Sequence, residues 1–298
     1  MLANWKLNGE GLINGRMGLV IILFKLGRFY CNKELYVLAE KHLNKVKKRT
    51  IQMFDLSFEN GLLGIGYGIE YLSLEEPTFS EKSEYLNQLD KLILQDLSQN
   101  FPINDIGLLS GWLGYGEYFK IRLEKVRIES KNHQEEFYRQ ILSYIIEEIY
   151  ISVSKSEYIF NEKLNTKQIW NLLNLNEFIN FKKYLLPNNH LQELNFIISK
   201  IQNKLKKTEL TETQKLHKLK LQLLADRNHL KNPRSKSLTN ASTSFHNRWK
   251  NLNFNSKVFS LRNGPMAYLN LLLDLYSVSL SDSFSNEIVT LIKNCEEK

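Results

Sequence analysis

The stretch SFENGLLGIGYGIEYL, residues 57–72, decides the fold of this chain. It holds four glycines in eight residues, Gly61, Gly64, Gly66 and Gly68, at the start of an apolar run with helical character. Glycine in a helix interior costs about 1 kcal/mol relative to alanine. Weak helix formers in a buried segment need a structural reason, such as the close approach of two backbones.

The same pattern recurs along the chain. GLINGRMGLVIILFKLG covers 11–27, IGLLSGWLGYGEYFKIRL covers 106–123, and a weaker copy, SLRNGPMAYLNLLLDLY, covers 260–276. The leading glycines of the four copies are 46, 50 and 153 residues apart. A period near 50 residues accounts for all four if two intervening units have lost the motif, and a fixed period indicates a repeat architecture. We therefore expect the repeated glycines to be structural turn residues: Gly15, Gly18, Gly61, Gly64, Gly111, Gly114 and Gly264.

The residue before each leading glycine is a good helix cap. These residues are Asn14, Asn60, Ser110 and Asn263. Asparagine and serine are preferred at N-caps because the side-chain oxygen accepts a hydrogen bond from a free backbone N–H. We predict that they cap the helices, with each glycine pair in the first helical turn.

A glycine-rich phosphate loop is the alternative interpretation of GLLGIGYG, residues 61–68. Such a loop should follow a strand within a βαβ unit. The preceding IQMFDLSF, residues 51–58, is a weak strand candidate, and no Lys-Ser/Thr pair follows Gly68. Three good copies of one pattern favour architecture over a single ligand site.

The segments between the motifs predict amphipathic helices. Residues 33–48, 83–99 and 133–153 carry apolar side chains at the 3.6-residue period. The glycine-led helices are apolar all round, which is typical of buried helices. The sequence thus predicts an all-α chain of about six inner–outer helix pairs, either open or closed into an α/α-toroid. We expect one domain over 1–298, with a divergent basic helical region at about 160–260.

Composition limits the partners and the compartment. The net charge of +8 favours acidic partners such as nucleic acid, an anionic membrane surface or an acidic peptide, and also increases solubility. The basic helices predicted within 195–236 are interpreted as solvated outer faces, with partner docking as the alternative. The apolar run 19–24 is too short to span a membrane, and no signal-peptide pattern is present. We expect a cytoplasmic protein without membrane insertion, whose two cysteines, Cys31 and Cys295, are reduced thiols.

The glycine motifs resemble those of the lanthionine synthetase C-like proteins, which include the cyclases of lanthipeptide biosynthesis. The similar segments are 11–26, 58–72 and 107–119, with a weaker one at 260–276. The resemblance implies a toroid of inner and outer helices, with glycine-rich turns opening the inner helices at one end. For the cyclases it also implies a zinc ion, held by two cysteines and a histidine near a Cys-His-Gly sequence. That zinc holds a peptide cysteine as thiolate for addition to a dehydrated serine or threonine.

The chain departs from the cyclase pattern at the metal. It contains neither Cys-His-Gly nor Trp-Cys, and the residues ahead of the four leading glycines are neither cysteine nor histidine. Zinc in proteins takes about four ligands, usually thiolate and imidazole. We therefore predict no metal site and no cofactor.

Candidate residues for a central cavity are those of the turns. Glu59 is the acidic residue directly ahead of a motif, where it also suits the positive end of a helix dipole. Asp226 and His229 share a helical face, as a base with an orienting carboxylate or, more simply, as a surface pair. We assign no catalytic residue. The predicted cavity-lining residues are Asn14, Glu59, Asn60, Ser110, Trp112, Arg262 and Asn263.

These observations give a functional hypothesis. We expect a zinc-free relative of the lanthionine cyclases that acts in maturation of a ribosomal peptide, as a peptide-binding or scaffold partner. Its partner would be the precursor peptide or a peptide-modifying enzyme, and we do not assign the cyclase activity to it. One alternative is a metal-independent enzyme that uses the toroid cavity, although a sugar hydrolase would need two carboxylates across it. A nucleic-acid-binding helical repeat, whose binding would weaken with salt, is the other alternative and is not favoured.

Overall fold

The part of the chain that is described consists of helices and the turns between them. The computed structural model describes residues 7–75, 79, 83–99 and 105–155, and, beyond these, 168–169, 171–175, 178, 196, 199–205, 207–208, 269–270, 273–274, 286 and 288–289. No strand occurs among these residues, and the strand candidate at 51–58 forms turns and irregular backbone. The all-α prediction is confirmed. The long helices are α1 (Arg16–Tyr30), α2 (Lys33–Thr50), α3 (Leu62–Glu75), α4 (Ser83–Gln99), α5 (Trp112–Ile128) and α6 (Asn132–Lys155).

Burial alternates along the chain as the sequence predicts. In α1 every residue from Met17 to Gly27 is buried, whereas α2 buries one stripe, Ala39, Leu43, Val46 and Thr50. The odd-numbered helices are thus surrounded by protein, while the even-numbered ones keep a solvent face. Helix α1 packs on α2, α5 packs on α6, and α3 packs on α5.

The chain divides into two compact units. The first comprises Met1–Gln52 together with Gln222–Lys298, and the second comprises Met53–Leu221. In the first unit the buried Lys25 of α1 donates a hydrogen bond of 2.6 Å to Asn270 Oδ1 and pairs with Asp274. The two ends of the sequence therefore meet within one unit. The number of repeats and the single-domain boundary stay predictions, and Arg262, Asn263 and Gly264 lie outside the described residues.

The glycine turns before α1, α3 and α5 share one backbone geometry. The first N–H of each helix bonds to a carbonyl seven residues earlier: Arg16 N to Gly9 O at 3.0 Å, Leu62 N to Asp55 O at 2.9 Å and Trp112 N to Asp105 O at 2.9 Å. The loop thus doubles back beneath the helix and satisfies an N–H that would otherwise lack a partner. The repeat that is visible in the sequence is therefore also a repeat of structure.

Steric crowding by the backbone requires glycine at the leading positions. A Cβ at Gly111 would lie 1.9 Å from Asp105 O, and one at Gly61 would lie 2.3 Å from Asp55 O. The φ of Gly111 is −130°, a value that any residue can adopt, so its conformation does not require glycine. The close approach of the returning loop is what requires glycine at this position.

The predicted side-chain caps are wrong for α1 and α5. Their N-caps are Gly15 and Gly111 themselves, and neither helix has a side-chain cap hydrogen bond. The loop carbonyls take the place of a capping side chain. The Ser110 hydroxyl donates instead to Asp105 Oδ2 at 2.8 Å, inside the turn. Asn60 is likewise separated from α3 by one residue, Gly61, because the helix begins at Leu62.

Glycines within the inner helices allow close packing of neighbouring elements. A Cβ at Gly66 would lie 2.4 Å from Leu89 of α4 and 2.6 Å from Tyr118 of α5. At Gly116 it would lie 2.2 Å from the ring of Phe178. The low helix propensity of these glycines is offset by packing that no larger residue would permit.

The apolar run 19–24 lies inside α1, where all of its residues are buried. Among the described helices, none combines the length and the hydropathy needed to cross a bilayer.

Candidate functional site

The second and third glycine turns lie side by side. We call residues 55–61 and 105–111 the paired turns. The backbone N–H groups of Phe58 and Glu59 both donate to Leu109 O, at 2.9 and 3.2 Å. A Cβ at Gly114 would lie 2.9 Å from Phe58 Cβ. The paired turns therefore form a continuous surface at the N-terminal ends of α3 and α5.

Three predicted cavity-lining residues lie on this surface. Asn60 and Ser110 are exposed, and Glu59 is half-buried. All three stand within two residues of a leading glycine, so the backbone contacts of the turns fix their positions. The paired turns thus present an amide, a hydroxyl and a carboxyl group to solvent.

Trp112 does not line an accessible surface, contrary to the sequence prediction. Its side chain is 0% exposed and its ring packs against Tyr115 and Tyr144, with centroid distances of 6.2 and 6.0 Å. Trp112 is the first residue of α5, as Leu62 is of α3, and Leu62 is also buried. In the paired turns, the residue after the leading glycine turns into the core, whereas the residue before it is exposed.

The first turn, in the other unit, is anchored by charge. Glu10 is buried and accepts hydrogen bonds from Arg16 Nε at 2.8 Å and from Arg49 Nη1 at 2.6 Å. Arg16 Nη1 also lies 3.0 Å from His42 Nδ1. Burial, with a further contribution from Arg16, lowers the pKa of His42, so its neutral ring accepts this bond. The half-buried Asn14 accepts from Asn8 N at 2.9 Å through its backbone carbonyl.

The described turns do not match the zinc ligands of the cyclases. Their acidic side chains shape the loops, because Asp55 Oδ1 accepts from Ser57 N at 2.7 Å and Asp105 Oδ1 accepts from Gly107 N at 2.8 Å. Cys31 is exposed at the opposite end of α1 from its glycine turn. No cluster of three or more potential ligands from His, Cys, Asp and Glu occurs in the described part of the chain. The described residues therefore do not form a cyclase-type zinc site.

A buried polar network centred on Arg122 of α5 links four helices of the second unit. Arg122 donates to Glu70 Oε2 of α3 at 3.0 Å and to Asp90 Oδ2 of α4 at 2.8 Å. It also donates to Asn87 Oδ1 at 3.0 Å and to the Tyr138 hydroxyl of α6 at 2.9 Å. We call these residues, with Tyr118, the Arg122 network.

Asp90 is the main counter-ion in this network. It accepts hydrogen bonds from the hydroxyls of Tyr118 at 2.5 Å and Tyr138 at 2.6 Å. Burial is the largest single influence and lowers the pKa of Arg122, but Asp90, Tyr118 and Tyr138 together outweigh it, so the pKa of Arg122 is raised. Sequence reasoning missed the network, although Glu70 and Arg122 were visible as charged residues within apolar helices. We interpret it as structural, because its charged groups are all buried.

Glu70 is the least satisfied member of the network. Its Oε1 atom is buried and has no hydrogen-bond partner among the described residues. Burial raises the pKa of Glu70, and the attraction of Arg122 only partly offsets it. The folded protein therefore holds this proton more tightly than the unfolded chain does.

This raised pKa predicts a pH-dependent effect of Glu70→Gln. The stabilisation that Glu70 contributes is fully present below its unfolded pKa and falls as pH rises through the higher folded pKa. Glutamine does not titrate, so the stability of the wild type relative to Glu70→Gln should fall from about pH 4.5 towards pH 7.5. Urea unfolding of both proteins across this range measures it. A stability difference that stays constant across this pH range would contradict the assignment.

The comparison with known proteins agrees with the fold. The family described as "Lanthionine synthetase C-like protein" matches residues 7–172, which contain all three described glycine turns and more than half of the chain. A search of curated proteins finds no match. The family has the α/α-toroid fold that the resemblance implies, and its inner and outer helices correspond to the alternation of α1 to α6. With repeated glycine turns of one geometry and a match of this extent, the chain belongs to the lanthionine synthetase C-like family.

Proposed function

We propose that this lanthipeptide cyclase-like protein acts without the family zinc, as a peptide-binding or scaffold partner in maturation of a ribosomal peptide. Family membership supports the pathway. The paired turns carry the rest of the proposal, since the residues before their leading glycines are Asn60 and Ser110, and the resemblance places the zinc-binding cysteine and histidine residues in turns of this kind. Without a thiolate–zinc centre, such a surface holds a peptide but does not activate its cysteine.

The chemistry of the paired turns suits an extended peptide. Asn60 offers both a donor and an acceptor to a peptide backbone, and the Ser110 hydroxyl, whose proton is donated to Asp105, offers an acceptor. Glu59 adds an acceptor, which favours a peptide with a basic or hydroxyl side chain at that point. Backbone hydrogen bonds within and between the paired turns hold these residues in place, so little ordering is needed on binding.

Metal analysis tests the zinc-free part of the proposal. The full chain, purified after growth with added zinc, should contain well under one zinc ion per molecule, because the described turns lack the ligands. Its metal content should not change in Cys31→Ser. Stoichiometric zinc in the purified chain would overturn this part, and its loss from Cys31→Ser would identify a ligand.

A capture experiment tests the second part of the proposal, that the protein binds a peptide or its modifying enzyme. We expect the tagged chain to retain a ribosomal precursor peptide or its modifying enzyme from source cells, identified by mass spectrometry. The double variant Asn60→Ala/Ser110→Ala should retain about tenfold less, because two hydrogen-bonding groups are lost. Gln88→Ala/Ser98→Ala, at exposed positions of α4, is the matched control. Equal retention by both double variants would show that the paired turns are not the binding surface.

A further inference from the structure

The outer face of α2 concentrates the positive charge of the protein. The helix contains six basic and two acidic residues, a net +4 within a chain of net +8. Lys41, Lys45 and Lys48 are exposed, and none of them has an acidic partner among the described residues. Arg49, by contrast, is paired with Glu10. The three lysines are therefore available to a partner.

Five exposed residues of α2 and its C-cap form a single row, which we call the α2 seam. The spacings along it are four, three, four and three residues, the spacing of side chains on one helical face. Val37 is 64% exposed at one end and Ile51 is 85% exposed at the other, about 21 Å apart along the helix axis. Ile51 keeps helical backbone angles, with φ −58° and ψ −26°. The members of the α2 seam are Val37, Lys41, Asn44, Lys48 and Ile51.

We propose that the α2 seam is the docking site for an acidic amphipathic helix of a partner protein. A row of this spacing matches the row of side chains that a partner helix presents. Paired helices use apolar contacts along such rows for affinity, and charged residues beside them select the partner. Val37 and Ile51 would each receive an apolar side chain. Lys41 and Lys48, with Lys45 beside them, would pair with carboxylates. The site goes beyond the proposed function because it lies on α2 and not on the paired turns.

The pattern of the α2 seam fits a protein better than other acidic partners. A helix that inserts into a membrane needs a continuous apolar stripe, but two lysines and Asn44 interrupt this one. Nucleic acid would engage the lysines through phosphate groups and would leave Val37 and Ile51 uncovered. The shallow groove over the lysines is also lined by Glu40, a negative charge that disfavours a phosphate backbone.

A synthetic peptide tests the proposal directly. The probe is a fluorescein-labelled 18-residue helical peptide, with leucines at the two ends of a matching row and glutamates between them. Fluorescence anisotropy with the full chain should show binding that weakens at least about tenfold in Lys41→Glu/Lys48→Glu, as expected when close charge pairs become repulsive. Lys91→Glu/Lys207→Glu makes the same change in net charge at exposed positions outside α2 and should change the affinity less than about threefold.

A second experiment reverses the charges on both the peptide and the protein. A peptide with lysines in place of its glutamates should bind Lys41→Glu/Lys48→Glu better than it binds the wild type. Equal weakening in both double variants would mean that only the overall charge matters and would overturn the proposal. Equal binding of a scrambled peptide would overturn the helical row. Capture of the chain by phosphatidylserine vesicles through the seam lysines, without peptide binding, would assign the α2 seam to lipid instead. Circular dichroism verifies that each variant keeps its helical content.

Discussion

Gly111→Ala is expected to destabilise the protein by about 2–4 kcal/mol, at the upper end for overpacking. The new Cβ would lie 1.9 Å from Asp105 O, and that carbonyl is already bonded to Trp112 N. Neither backbone segment can retreat without breaking this bond or the 2.9 Å bond from Gly111 N to Gly107 O. Urea unfolding followed by circular dichroism measures the loss.

Gly27→Ala is the matched control for this substitution. Gly27 lies within the apolar inner helix α1, and the nearest atoms to a Cβ at this position belong to the Tyr36 ring, at 3.1 Å. A ring can move, and alanine improves helix propensity by about 1 kcal/mol. We expect Gly27→Ala to remain within about 1 kcal/mol of the wild type. Equal destabilisation by the two substitutions would show that backbone crowding at the turn is not what requires glycine.

The fold was predictable because its main requirement, glycine at the turns that lead into the inner helices, is set by residues close together in the sequence. At the three described turns that lead into inner helices, the returning loop passes so near the backbone that only glycine fits, as at Gly61 and Gly111. The requirement repeats with the structural unit, so a glycine period appears in the sequence. The alternation of fully apolar and one-sided helices is equally local, and α1 and α2 confirm it.

The details of the turns were not predictable in the same way. A capping rule weighs only the side chain next to the helix, whereas the first N–H of α5 bonds to a carbonyl seven residues away. Trp112 was assigned to the turn surface because it follows Gly111, but the direction in which it points depends on how the loop meets the helix. The Arg122 network could not be predicted at all, because its members come from four helices and the sequence does not show which charged side chains lie next to one another.

Arg122→Met should destabilise the protein by about 3–5 kcal/mol, the usual cost of removing one partner of a buried ion pair. Methionine has a similar length, so the main loss is electrostatic. Asp90 and Glu70, buried at 6% and 1% exposure, would lose their cation. Lys120→Met, at a half-buried position, is the control on the same helix. Its 3.1 Å pair with Glu117 is partly exposed, and we expect its loss to cost below about 1 kcal/mol.

Neutralising the stranded carboxylates should recover much of that stability. If the cost arises from uncompensated charge, then Glu70→Gln and Asp90→Asn in the Arg122→Met background should each restore part of it, although Asp90→Asn alone should destabilise the wild type. Such a sign change is the mark of coupled residues in a double-mutant cycle. Of the two, Asp90→Asn should rescue more, because Asp90 accepts two hydrogen bonds from Arg122 and Glu70 accepts one. Additive losses in the combined variants would mean that Arg122 stabilises α3 to α6 by packing its side chain and not by its charge.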